Sequence, residues 1–189
     1  RGIPYMIFGG LRFYERAEVK DLLAYFNLLL NPADNVSFER IVNVPRRGVG
    51  DVSLSRISEE ALSNNLSEYE YLRRYSEFSA NSEIPSRVAA SLTTLVKEME
   101  ETKAKLKENV EAYSSVLKDF ATNIGYLAYL AEEEDPEEDR LKNVDALFDD
   151  ITHYLNNNPN SSFSEYLQNV ALLTSQDDMS GGNYVSLMT

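Results

Sequence analysis

Residues 141–155 read LKNVDALFDDITHYL, with Leu141, Val144, Leu147, Phe148, Ile151, Tyr154 and Leu155 returning every three or four positions. That period marks one face of an α-helix; a strand would alternate every second residue. Asn156-Asn157-Asn158-Pro159 ends the helix, because proline cannot continue the hydrogen-bond ladder. Downstream, Ser161 or Ser162 is placed to cap a last helix through Phe163, Tyr166, Leu167, Val170 and Leu173, followed by a polar loop from Gln176 to Asn183.

The same period recurs upstream. Residues 110–130 form a helical pattern that Gly125 can weaken or break. Ile84-Pro85 opens a long helix through Leu106, and Tyr69–Phe78 reads as a short one. Another begins at Asp51 or Ser53 and buries Leu54, Ile57 and Leu62. Asn35–Asn43 and Glu15–Leu30 are amphipathic as well, the latter stopped by Asn31-Pro32. Only Ile3–Phe8 and Tyr184–Thr189 read as strands. The fold expected is mainly α, about eight helices with one short β-strand at each chain end. Such an order suits a helical domain inserted between two strands of another domain's sheet, with its ends close together.

The bulk numbers fit that picture. The 189 residues are 43% hydrophobic, enough for a sizeable core. Absence of cysteine excludes disulfides and thiolate metal sites and agrees with a reducing cytoplasm. No apolar run approaches the roughly 20 residues that span a bilayer, and no signal peptide is visible, so no membrane partner is expected. The chain starts at Arg1 and stops within a strand-like run, which reads as a piece cut from a longer protein.

Net charge is −13, which opposes nucleic acid if it is spread evenly. It is not: residues 1–60 hold eight basic and eight acidic side chains, and the remainder carries the whole excess. A nucleic-acid contact is therefore confined to the first third. Within it, Pro45-Arg46-Arg47-Gly48-Val49-Gly50 is a glycine turn between two amphipathic helices. Glycines let a backbone approach a phosphate, the first amides of the following helix favour an anion, and Arg46 and Arg47 add mobile positive charge. A plain helix–helix turn with solvated arginines is the other reading, and the residues alone leave both open.

Catalytic signatures are missing. No G-x-x-x-x-G-K-[ST] phosphate loop occurs, and one histidine without cysteine builds no nucleophilic triad. His153 reads as a surface or boundary residue, and the acidic stretch Glu132–Asp139 as a solvated loop.

The segment from Tyr5 to Asp21 changes the balance. Tyr5, Gly9, Gly10, Phe13, Tyr14, Arg16, Glu18, Val19, Lys20 and Asp21 resemble the wording with which UvrD, PcrA and Rep helicases pass from their second motor domain into the inserted 2B domain. The resemblance continues through Phe38–Gly50, Arg140–Asp145 and Val170–Leu173, and ends at Val185–Thr189, similar to the opening of motor motif V. It is PcrA-like rather than Rep-like. It implies that residues 1–14 are the edge of motor domain 2A, 15–180 the helical 2B domain and 181–189 the return into 2A. It also implies hinges at Gly9, Gly10, Gly181 and Gly182, duplex contact by Arg46, Arg47, Gly48, Val49 and Gly50, and Arg12 and Thr189 near the single-strand track. Duplex and single-stranded DNA, the motor domains of the same chain and regulatory proteins are the implied partners. The parent would be an ATP-dependent 3′–5′ DNA helicase using ATP and magnesium; this piece alone would hold no cofactor and no catalysis. A helical protein-interaction module, or the equivalent domain of an AddA-type helicase–nuclease, is the alternative.

Overall fold

The computed structural model describes residues 10–108, 112–132 and 139–180, with side chains as far as residue 175. Among the described residues there are eleven α-helices, one 3-10 helix and no strand. The expected strands at 3–8 and 184–189 lie outside them. In chain order the helices are α1 (Leu11–Glu15), α2 (Ala17–Leu30), α3 (Asn35–Ile41), α4 (Asp51–Ser63), α5 (Glu68–Arg73), α6 (Tyr75–Phe78), α7 (Ser86–Glu108), α8 (Tyr113–Asn123), α9 (Tyr126–Glu132), α10 (Arg140–Asn157) and α11 (Phe163–Ser180), with the 3-10 turn at Ser79–Asn81. No described helix is long and apolar enough to cross a membrane.

The count exceeds eight because a short helix, α1, precedes the expected Glu15–Leu30 stretch and two other expected stretches are interrupted. Arg16 turns to extended backbone (ψ 138) and separates α1 from α2. Arg74 breaks α5 from α6. Gly125, with φ 78, parts α8 from α9 in a left-handed conformation that a Cβ disfavours. A further correction concerns residues 176–180, expected as loop: α11 continues to Ser180, since no glycine or proline stands between Phe163 and that point.

Local chemistry sets the ends. The Asp34 carboxylate accepts the Ser37 amide at 3.0 Å and starts α3. Asp139 does the same for α10. Ser162 and Glu165 exchange bonds, each amide donating to the other's side chain at 2.9 and 3.2 Å, a capping box that opens α11.

α2 is the central element, packed against α1, α3, α7, α10 and α11. Its Val19, Leu22, Tyr25, Phe26 and Leu28 are fully buried, each contributing about 1.5–3 kcal/mol of apolar transfer. Phe26 meets the rings of Phe148 and Phe163; its neighbour Tyr25 meets Phe120 and Tyr126 edge-on. One continuous core runs from Phe13 in α1 to Val170 in α11.

Buried polar groups hold the distant parts together. Glu18 accepts from the Asn143 amide at 2.8 Å. Asp21 accepts the Tyr126 phenol at 3.0 Å and pairs with Arg40 at 2.9 Å. Asp150, on α10, accepts the phenols of Tyr14 from α1 and Tyr166 from α11 at 2.6 and 2.8 Å. The Glu18–Asp21 run is thus an internal scaffold: two of its carboxylates are satisfied inside the fold.

Candidate functional site

Residues 42–50 connect α3 to α4, and most of the connection is organised by one side chain. The Asn43 carbonyl oxygen accepts the amides of Arg47 at 2.8 Å and of Val49 at 3.2 Å. Asparagine favours such local turns because its short side chain mimics a backbone acceptor. The Val44–Pro45 peptide is cis. Gly48 has φ 76, a conformation that favours glycine. Val49 is buried in the core and anchors the turn, while Gly48 and Gly50 are exposed. A Cβ placed on either glycine would meet nothing within 4 Å, so the backbone there is open to a bulky partner.

The helix that follows begins openly. Gly50 is the N-cap of α4, in place of the expected Asp51 or Ser53, and no side chain caps it. The first intrahelical bond runs from the Leu54 amide to the Gly50 carbonyl. The amides of Asp51, Val52 and Ser53 therefore have no intrahelical acceptor and lie at the positive end of the helix dipole. Asp51 is exposed in this first turn and places a negative charge beside them.

The two arginines differ, which corrects the expectation of two mobile charges. Arg46 is exposed. Arg47 is turned inward: its guanidinium donates to the carbonyls of Ile41 at 2.9 Å and Val42 at 3.4 Å, and to the Tyr25 hydroxyl at 2.7 Å. It also lies 5.8 Å from the Tyr25 ring centroid. Tyr25 in turn donates to the Val44 carbonyl at 2.6 Å. Burial pushes the Tyr25 phenol up to about 12, against the pull of Arg47. Asn43 and Tyr25 were missed as site residues. The Asn43-Val44-Pro45 run carried the signal for the first, whereas nothing in the sequence marked Tyr25.

Of the other expected site residues, Arg12 and Gly10 are described. Arg12 is exposed on α1, and Gly10, with φ 65, is the residue before that helix. Gly9, Gly181, Gly182 and Thr189 lie outside the described residues. His153 is exposed on α10, in keeping with a surface role. Of the acidic stretch, Glu132 closes α9 and Asp139 caps α10; residues 133–138 lie outside the description. No group of three potential metal ligands occurs among the described residues. A groove of about 410 Å³ beside α4 carries Glu59, Glu60, Glu77 and Glu83 against Arg56, so that face disfavours an anionic partner.

Comparison with known proteins adds a separate line of evidence. The UvrD-like helicase C-terminal domain family matches residues 1–189. The chain is 31% identical to a probable DNA helicase II homolog of Rickettsia felis, over 99% of this chain and 27% of the relative. Against the ATP-dependent DNA helicases PcrA of Leuconostoc citreum and Staphylococcus epidermidis the identities are 34% and 32%, over 99% of this chain and 25% of each relative. The chain thus spans about a quarter of the length of the curated relatives it matches.

Proposed function

The chain belongs to the UvrD-like helicase C-terminal domain family, and from that membership we propose that it is the duplex-contacting 2B region of an ATP-dependent 3′–5′ DNA helicase. On this reading residues 15–180 form the inserted regulatory domain, and residues 1–14 and 181–189 belong to motor domain 2A. Gly9, Gly10, Gly181 and Gly182 serve as the hinges. ATP and magnesium are held by the rest of the parent protein, and this region contributes DNA contact and regulation rather than catalysis.

The observation that carries the reading is the open start of α4. Exposed glycines, first-turn amides without an intrahelical acceptor and the exposed Arg46 all fall within residues 46–53. Amides at a helix start recognise phosphate oxygens without reading bases, as a motor moving over any sequence requires. Gly48, Gly50, Arg46 and the first turn of α4 are the phosphate contacts, with Val49 as their anchor. Arg12 and Thr189 belong to the neighbouring single-strand track.

Fluorescence anisotropy with a labelled 20-base-pair duplex tests this. The expected result is weak binding that falls as salt rises from 50 to 200 mM, because released counterions drive phosphate contact. Gly50→Glu is the sharper variant. Its φ of −95 tolerates a side chain, so the change adds a carboxylate without the strain that Gly48 would suffer. Loss of binding in Gly50→Glu, with Gly50→Ala largely retained, supports the reading. Salt-independent binding, or equal binding by both variants, would sink it.

A further inference from the structure

We propose that Arg47 is a positioning residue for duplex contact and not a phosphate ligand: it neutralises the carbonyl end of α3 so that the amide end of α4 alone faces the DNA. The inference rests on the duplex-contact reading of the turn.

Two helix ends of opposite polarity meet at this turn. The last carbonyls of α3 form a negative pole that would repel a phosphate, and the first amides of α4 form a positive pole that would attract one. Left alone, the negative pole would offset part of the positive one for an approaching anion. The Val44 amide donates to the Ile41 carbonyl at 3.0 Å, and Arg47 adds the positive charge that offsets the pole. Its guanidinium caps the Ile41 and Val42 carbonyls, as cationic side chains do at helix C-termini.

The same group holds the turn in place. The bond to the Tyr25 hydroxyl fixes Arg47 to the central helix, and Tyr25 holds the Val44 carbonyl. From the backbone side, Asn43 holds the amides of Arg47 and Val49. Gly48 is the residue between those two bonded amides, so its exposure is set by the clamp. The three guanidinium bonds draw Arg47 inward, leaving the exposed Arg46 as the charge that meets DNA.

Lysine cannot replace this arrangement. Reaching two carbonyls and a hydroxyl at once needs the planar fork of a guanidinium, whereas a phosphate ligand tolerates a point charge.

The test uses the 189-residue chain and the labelled duplex between 50 and 200 mM salt. Arg47→Ala is expected to weaken binding about tenfold, the scale of one charge-assisted hydrogen bond, with the slope of log affinity against log salt unchanged. Arg46→Ala should instead reduce that slope by about 0.9, the loss of one phosphate contact. Arg47→Lys, which keeps a cation near the end of α3 but loses the fork, should recover only part of that loss, and Tyr25→Phe should lose part of the affinity while removing no charge.

A reduced slope in Arg47→Ala, or full recovery in Arg47→Lys, makes Arg47 a direct ligand and overturns the proposal. A lowered melting temperature with unchanged affinity makes it merely structural, which also overturns it. Amide hydrogen exchange at Val49 gives an independent readout: Arg47→Ala and Tyr25→Phe should both accelerate it. If the intact chain shows no salt-dependent binding, the duplex reading has failed; unchanged Val49 exchange in both variants would show that the clamp has failed.

Discussion

Glu18 and Asn143 stand 125 positions apart in the chain, yet the Glu18 carboxylate accepts the Asn143 side-chain amide at 2.8 Å inside the core. The pair fastens the start of α2 to the start of α10. Glu18→Ala leaves a half-buried amide donor without its acceptor, which costs about 1–2 kcal/mol. Glu18→Gln keeps an oxygen acceptor and should cost clearly less. Urea unfolding checks both, read as a lower midpoint with an unchanged slope.

Alkaline pH should unfold the protein through its buried phenols. Desolvation raises Tyr14, Tyr126 and Tyr166 above the ordinary value of 10.0, the Asp150 and Asp21 carboxylates adding to it, and burial raises Tyr25 to about 12. The folded values lie above the unfolded ones. The stabilisation they represent is therefore complete below pH 10 and is lost as pH rises through the folded values. Each such group should lower stability by about 1.4 kcal/mol per pH unit in that window. Urea midpoints from pH 9 to 11.5 should fall steadily, and Tyr14→Phe should make the decline shallower by one group.

Asp51 works against DNA contact while helping its own helix. Its carboxylate suits the positive end of α4, worth about 0.3–1 kcal/mol, but it also sits where a phosphate would approach. Asp51→Asn is expected to lower the melting temperature slightly and to strengthen duplex binding several-fold at 50 mM salt. Weaker binding by this variant would show that the first turn of α4 is not the contact.

Gly125→Ala isolates backbone strain. A Cβ there would meet nothing within 4 Å, so crowding plays no part, but φ 78 is unfavourable to alanine. A loss of about 1–2 kcal/mol is expected. Gly125→Asn should lose less, because asparagine tolerates the left-handed region. Denaturant midpoints of the two variants, taken side by side, decide it.

Much of this architecture was legible from periodicity, because the longer helices present an apolar stripe to a shared core. The stripe from Val19 to Leu29 is buried throughout its apolar face, whereas Leu30 and Leu62, expected on such faces, are exposed. Breaks were harder to read. Gly125 announced itself, whereas Arg16 and Arg74 interrupt helices without glycine or proline, since tertiary packing overrides propensity there. In the candidate site, the exposure of Gly48, Gly50 and Arg46 agreed with the sequence. Arg47 did not. A sequence displays its charge but not the carbonyls of Ile41 and Val42 that a turn brings within reach. Tyr25 was read only as part of a helix stripe, because one atom of an otherwise apolar residue does the polar work.

The meeting of Tyr14, Asp150 and Tyr166 carries a mechanical consequence. α1 and α11 pack directly on one another and on α2, and the shared carboxylate adds a polar tie to that apolar contact. Torque delivered through those two helices would then turn the whole body as one piece, like a key gripped by its bow. Asp150→Ala would loosen the grip and leave the two helices joined by their apolar contact alone.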